Sequence, residues 1–245
     1  VNGRDGSDSA MWGDAAHGAL VRGYTVLIFD GPGQQSMLFE RGTAFRPDWE
    51  KVVTPVVDFL LARPDVDPAK LAIYGISQGG YWVPRALAFE TRLAAAIADP
   101  GVTDVSASWL PRLPAPLRAL FEAGKKDAFD RDMQIGMRFG AATARTWAFR
   151  ARPYRQESYF DTLTEVSRYA LGDLAASIRT PLFITSPEGE QFWPGQSAAL
   201  AGALPGETVL QEFTAAEGAD LHCQPLARTL TQQRMFDWLD VTLDL

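Results

Sequence analysis

Over most of the chain, short apolar runs alternate with stretches whose apolar residues recur at helical spacing. Strands buried on both faces read as near-continuous apolar runs, so this alternation predicts a mostly parallel sheet covered by helices on each side. Tyr24 to Asp30 is the first β-rich run and stops at Gly31-Pro32-Gly33, a strong turn signal. Residues 9–22 before it read as a helix ended by Gly23. Pro47 to Arg63 carries Trp49, Val52, Val53, Val56, Val57, Leu60 and Leu61 on one helical stripe, with a kink expected at Pro55. Further strands are expected at Leu71–Ile76, Leu93–Ala98, Pro181–Thr185 and Thr208–Phe213. Helices are expected from the residues after Ser77 to about Thr91, over Gln196–Leu204 and from Pro225 to Val241.

Between Val102 and Thr180 the alternation stops. This segment is rich in arginine, methionine and aromatic residues, too apolar to stay unfolded, and reads as helices inserted between two strands. The expected organisation is a core of residues 1–101 and 181–245 with a helical cap over 102–180. The fold class is therefore α/β, a doubly wound and mostly parallel sheet with an inserted cap.

Composition narrows the function. A net charge of −7 gives no electrostatic footprint for nucleic acid and disfavours an anionic membrane surface. No apolar run reaches the roughly 18 residues of a spanning helix. One cysteine excludes an internal disulfide and fits a reducing cytoplasm. Two histidines and one cysteine disfavour a structural zinc site, and nothing calls for a cofactor. The expected partner is a small-molecule substrate, with self-association into a homo-oligomer left open.

The chemistry begins at Gly75-Ile76-Ser77-Gln78-Gly79, a G-x-S-x-G pattern lying between an expected strand and an expected helix. A sharp strand-to-helix turn lifts a serine hydroxyl above the sheet edge, and small residues let the two elements pass closely. The backbone N–H of Gln78, at the helix start, can then face a developing oxyanion. A serine needs a base, and the base needs an acid to steer it. Of the two histidines, His17 lies inside the first helix, whereas His222 follows the last strand, where the chain order Ser…acid…His puts the base. Two glutamates, Glu188 and Glu190, follow the strand at 181–185, and either could receive the imidazole N–H.

With these residues in place the chain resembles the α/β-hydrolase superfamily over nearly its whole length. In that family the acid-bearing strand often continues as Gly-x-x-Asp-x-x-Val-Pro. On that register Glu190 takes the acid position and Pro194 the proline, so the resemblance favours Glu190 over Glu188. Phe29-Asp30-Gly31-Pro32-Gly33-Gln34 is similar to the family's Asp-x-Pro-Gly-x-Gly loop, with glutamines in place of the final glycine region and a structural role for Asp30. Asn2-Gly3-Arg4-Asp5-Gly6 resembles the His-Gly-x turn that supplies a second oxyanion donor, which implies the backbone N–H of Arg4. Asp30-Gly31-Pro32-Gly33-Gln34 and Glu190-Gln191-Phe192-Trp193-Pro194-Gly195-Gln196 look like a subgroup with an N-terminal helical region and a cap. Some of its members cleave carbon–carbon bonds in β-diketone-like or aromatic ketone substrates, and others are dipeptidyl-aminopeptidase-like.

The resemblance implies a serine hydrolase acting on a small or medium apolar acyl compound, with cap aromatics lining the pocket. A cap packed on itself is the plainer reading of most of those aromatics. A dipeptidyl-peptidase-like enzyme and a catalytically silent binding module are the competing readings. The family normally places two or three strands before the point where this chain begins, so an exposed sheet edge is expected.

Overall fold

In the computed structural model, which describes residues 1–245, four strands form one sheet: β1 (Ala72–Ile76), β2 (Ala95–Asp99), β3 (Leu182–Pro187) and β4 (Thr208–Phe213). They lie side by side in chain order, and every pairing is parallel. Period-two side-chain alternation decides which residues reach which face. Ala96, Ala98, Leu182 and Ile184 join one buried cluster with Trp49, Tyr81 and Trp82. Their neighbours Ala95, Ile97 and Phe183 join a second cluster with Met235, Phe236 and Leu239 of the helix Arg228–Thr242. A sheet buried on both faces needs apolar residues at consecutive positions, which explains the runs in β2 and β3.

The helix Glu50–Leu61 contains Pro55 and still buries Val53 and Val57. It docks on the helix Gly79–Leu87 through Trp49 and Trp82, whose rings stack at 4.5 Å. Near the start of the chain, Asp8–Met11 and His17–Val21 are joined by a π-helical turn over Trp12–Ala16. Between β2 and β3 lie the helices Ala115–Glu122, Lys126–Phe139, Ala141–Ala151 and Tyr159–Val166. Phe129, Met133, Leu163 and Val166 from these helices belong to the same buried cluster as Trp82 and Ile184. No helix is long and apolar enough to cross a membrane.

Two expectations change. Tyr24–Asp30 is not a sheet strand; it runs outside any helix or ladder. Tyr24, Val26 and Ile28 still pack against the second cluster while Leu27 is 44% exposed, so the alternation is real. Alternation records which side of a segment meets a core, but a strand also needs a neighbouring backbone, and no strand of this chain lies beside it. The outer edge of β1 instead receives Val1, whose carbonyl accepts the Ile76 N–H. Secondly, a short helix, Gln35–Phe39, forms in a stretch for which the sequence pattern names no element.

Glycines set how closely the helix Gly79–Leu87 approaches the sheet. A Cβ on Gly75 would stand 2.3 Å from the Gly79 carbonyl oxygen, and one on Gly80 would stand 1.7 Å from that of Pro100. Both obstacles are backbone, which cannot swing aside. Gly80→Ala is expected to cost about 3 kcal/mol, the upper end for overpacking. Gly136→Ala, in a helix where a new methyl meets nothing within 4 Å, should gain about 0.5–1 kcal/mol. Urea unfolding of the two variants beside the parent protein checks both signs.

Candidate active site

β1 ends at Ile76, and the next residue, Ser77, sits at φ 56° before the helix begins at Gly79. That left-handed conformation is costly for a non-glycine residue and persists only where surroundings impose it. Here the Ser77 N–H donates to the Asp99 carbonyl at 2.6 Å, anchoring the turn to the end of β2.

The Ser77 hydroxyl meets His222 Nε2 at 2.9 Å. On the other side of the ring, Nδ1 lies 3.0 and 2.8 Å from the two carboxylate oxygens of Glu190. Glu190 is set by its own loop: Oε1 accepts the backbone N–H groups of Phe192 and Trp193 at 2.8 and 3.2 Å. Its side chain is 5% exposed and that of His222 13%. Phe192 packs edge-on against the imidazole at 4.7 Å, with Trp193 at 5.6 Å. A hydroxyl, an imidazole and a carboxylate thus form one hydrogen-bonded line, an arrangement able to move a proton off the hydroxyl and hold the resulting positive ring.

The structure separates the two glutamates. Glu188 is exposed and its Oε2 accepts the Ala215 N–H at 2.9 Å, away from the imidazole. His17 is likewise exposed and lies against Trp12. Asp30 caps the short helix that follows it, through the Ser36 N–H and hydroxyl.

Arg4 and Gln78 border one pocket of about 120 Å³ together with Asp5, Ser77, Ser108, Arg150, Phe192, Trp193 and His222. The backbone N–H groups of Arg4 and Gln78 donate to no group of the chain. The turn that carries Arg4 is clamped by two glutamines. Gln34 is fully buried, donates to the carbonyls of Asn2 and Gly3, and accepts the Gly31 N–H. Gln35 donates to the Asp5 carbonyl. The glutamines that depart from the family's loop pattern therefore tie that loop to the turn beside Ser77.

The pocket lining corrects the expectation that aromatics of the 102–180 segment line the cavity. From the 102–180 segment it takes Ser108 and Arg150, and its only two apolar members are Phe192 and Trp193. The aromatics of the segment pack mainly on one another: Phe121, Phe129 and Phe160 form one group, and Trp109, Trp147, Tyr154 and Tyr159 another. Large side chains bury the most area by self-packing, which leaves the cavity to residues with polar ends.

A buried polar network lies directly beneath. Asp99, at the end of β2, is fully buried. It accepts from Thr185 Oγ1 at 2.7 Å, Tyr74 OH at 2.8 Å and Arg228 Nη1 at 2.9 Å. Burial alone would raise its pKa, but the Arg228 charge and these hydrogen bonds outweigh that and hold the carboxyl below its usual value. Arg228 also donates to the carbonyls of Cys223 and Asp14. The Cys223 thiol donates to the Asp99 carbonyl at 3.3 Å. Cys223 and Gln224 have φ values of 57° and 43°, so the two residues after His222 are held in an unfavourable conformation by these bonds.

A serine in a strained strand-to-helix turn, on a parallel sheet, facing a histidine after the last strand, is the arrangement of one class of hydrolases. Residues 1–229 match the model of the alpha/beta hydrolase family, and the chain belongs to that family. Among its relatives is the hydrolase LUC6 of a Fusarium species, 29% identical across 100% of this chain and 61% of that protein. The 20-hydroxy-prefusarin hydrolase FUS2 of Gibberella moniliformis is 31% identical across 99% of this chain and 61% of that protein. This chain thus spans about three fifths of the length of these relatives. Among solved structures, the 2,6-dihydroxy-pseudo-oxynicotine hydrolase aligns with a TM-score of 0.72 at 20% identity, covering 99% of this chain and 59% of the other. The alpha/beta hydrolase GrgF from Penicillium sp. sh18 aligns at 0.69 and 18%, covering 100% and 89%. The fold of the chain is that of these enzymes.

Proposed function

We propose that this hydrolase works through a Ser77–His222–Glu190 triad on a small-molecule acyl substrate. The observation that carries the reading is the continuous hydrogen-bonded line from the Ser77 hydroxyl through His222 to Glu190. Ser77 Oγ attacks the acyl carbon while its proton passes to His222 Nε2, and the carbonyl π electrons move onto oxygen. Glu190 orients the ring and balances the imidazolium without taking the proton. The N–H groups of Gln78 and Arg4 receive the oxyanion, each worth about 3 kcal/mol in comparable sites. As the bond to the leaving group breaks, His222 returns the proton to it. Water then attacks the acyl-enzyme by the same route, releasing the acid and restoring Ser77.

The helices between β2 and β3 act as the lid that encloses the acyl group, since Ser108 and Arg150 reach the pocket from that side. A relative named for one specific compound, 20-hydroxy-prefusarin, supports the small-molecule reading. A fluorophosphonate probe tests the reading on the full-length protein. Rapid labelling that disappears in Ser77→Ala is expected. Folded protein that takes no label would instead mark a binding module on a hydrolase fold.

A further inference from the structure

Arg150 is a charged side chain of the pocket to which the triad chemistry gives no task. It sits near the end of the helix Ala141–Ala151 and is 9% exposed. Its guanidinium lies 4.1 Å above the Trp109 ring, and Nη2 donates to the carbonyl and hydroxyl of Ser108. It makes no ion pair, although most arginines that pair in this chain do so with a carboxylate within 3.1 Å. Nε is buried with no partner at all, and Nη1 donates to no group of the chain while the side chain borders the cavity in front of Ser77.

The surroundings increase the imbalance. Burial, followed by the nearby charges of Arg4 and Arg112, pushes the Arg150 pKa down to about 10, so the group still carries its charge at neutral pH. Of the two neighbouring cations, Arg4 is neutralised by Asp5 at 2.6 Å. A charge kept from water without a counterion costs several kcal/mol unless something else offsets it. The chain supplies only a stacked indole and two neutral oxygens. A guanidinium presents its donors in a plane that matches a carboxylate, and a carboxylate in this cavity would bring the missing negative charge.

From this geometry we infer that Arg150 selects acyl groups bearing a carboxylate, binding that carboxylate on the lid side of the pocket while the reacting carbonyl lies against Ser77. The inference rests on the triad reading for which end of the substrate reacts, and it adds the charge of the other end. Arg150 and Ser77 border one cavity of about 120 Å³, so the carbonyl and the carboxylate are joined by a short linker. Stacking on Trp109 fixes the plane of the guanidinium and with it the direction from which the carboxylate is met.

Glutaramate and glutaramide form a matched pair of probes: each carries an amide carbonyl three carbons from a second polar end, charged only in the first. Titration calorimetry on the full-length protein should give glutaramate about a tenfold lower Kd, as one charge-assisted contact of roughly 1.4 kcal/mol implies. Arg150→Met should abolish that preference, and Arg150→Lys, which keeps the charge but loses the planar fork, should retain part of it. Equal affinity for the two probes in the parent protein, or no binding of either, overturns the inference. So does a preference that survives in folded Arg150→Met, because the anion would then be held elsewhere, for instance by the oxyanion donors. Should Arg150→Met fail to fold, the parent protein and Arg150→Lys still decide. Fluorophosphonate labelling of the same preparations reports on Ser77 separately: labelled protein without the preference retains the triad and loses the anion site, and the reverse result retains the anion site alone.

Discussion

Ser77→Ala and His222→Ala will each lower kcat by about a millionfold, and the double variant will be no slower than either, because the groups act as one unit. Glu190→Gln will cost about 10⁴-fold, close to 5.5 kcal/mol of transition-state stabilisation. An amide in place of the Glu190 carboxylate keeps the size of the side chain but removes the charge that balances the imidazolium. It also offers an NH₂ where the ring N–H expects an acceptor. The residual activity comes from the oxyanion donors and from binding, which none of these substitutions touches. Glu188→Gln serves as the control and will leave kcat unchanged, since that side chain bonds only to the Ala215 N–H. Steady-state kinetics on an activated ester measures the whole set. A loss at Glu188 equal to that at Glu190 would remove Glu190 from the triad.

The largest stability effect is expected at Arg228. Arg228→Met leaves the Asp99 carboxylate buried with only neutral partners, and breaking such a pair from one side costs about 3–5 kcal/mol. For a chain of this length that is a fall in Tm of roughly 6–20 °C. Adding Asp99→Asn should recover a good part of the loss, because no charge is then stranded. The pH dependence has a definite sign. With Arg228 present the Asp99 pKa lies below its usual value, so its stabilisation is complete above the unfolded pKa and disappears as pH falls through the folded one. In Arg228→Met burial outweighs the two remaining hydrogen bonds and raises the Asp99 pKa. The gap between variant and parent therefore begins to narrow as pH falls through that raised value, and closes further below roughly 4, where the parent's carboxylate protonates. Calorimetric Tm values for the three proteins between neutral and acidic pH check both statements. An Arg228→Met protein as stable as its parent would show that the pair contributes nothing net.

What could be read from the sequence divides along a physical line. β2 and β3 were legible because a strand buried on both faces announces itself by composition alone, and the partly exposed edge strands β1 and β4 by their β-rich runs. The elbow was legible because its glycines and serine are dictated by local geometry, and the resemblance to the family's acid-bearing motif favoured Glu190 over Glu188. Three features depend on partners distant in the chain and leave no local mark. Asp99, before Pro100, reads as the start of a turn and is the anchor of a buried network whose other members lie at 14, 74, 185, 223 and 228. Arg150 is one of many arginines in its segment, and only the fold shows that it lacks a carboxylate. Tyr24–Asp30 has the pattern of a strand without the neighbour a strand requires. The glutamines at 34 and 35 in place of the family's final glycine region were visible, but the bonds of Gln34 to the turn at Asn2 and Gly3 were not.

The carbonyl of Asp99 anchors both sides of the proposed serine–histidine pair: it accepts from the Ser77 N–H and from the thiol of Cys223, the residue after His222. One atom at a strand end therefore serves as a common datum for attacker and proton carrier.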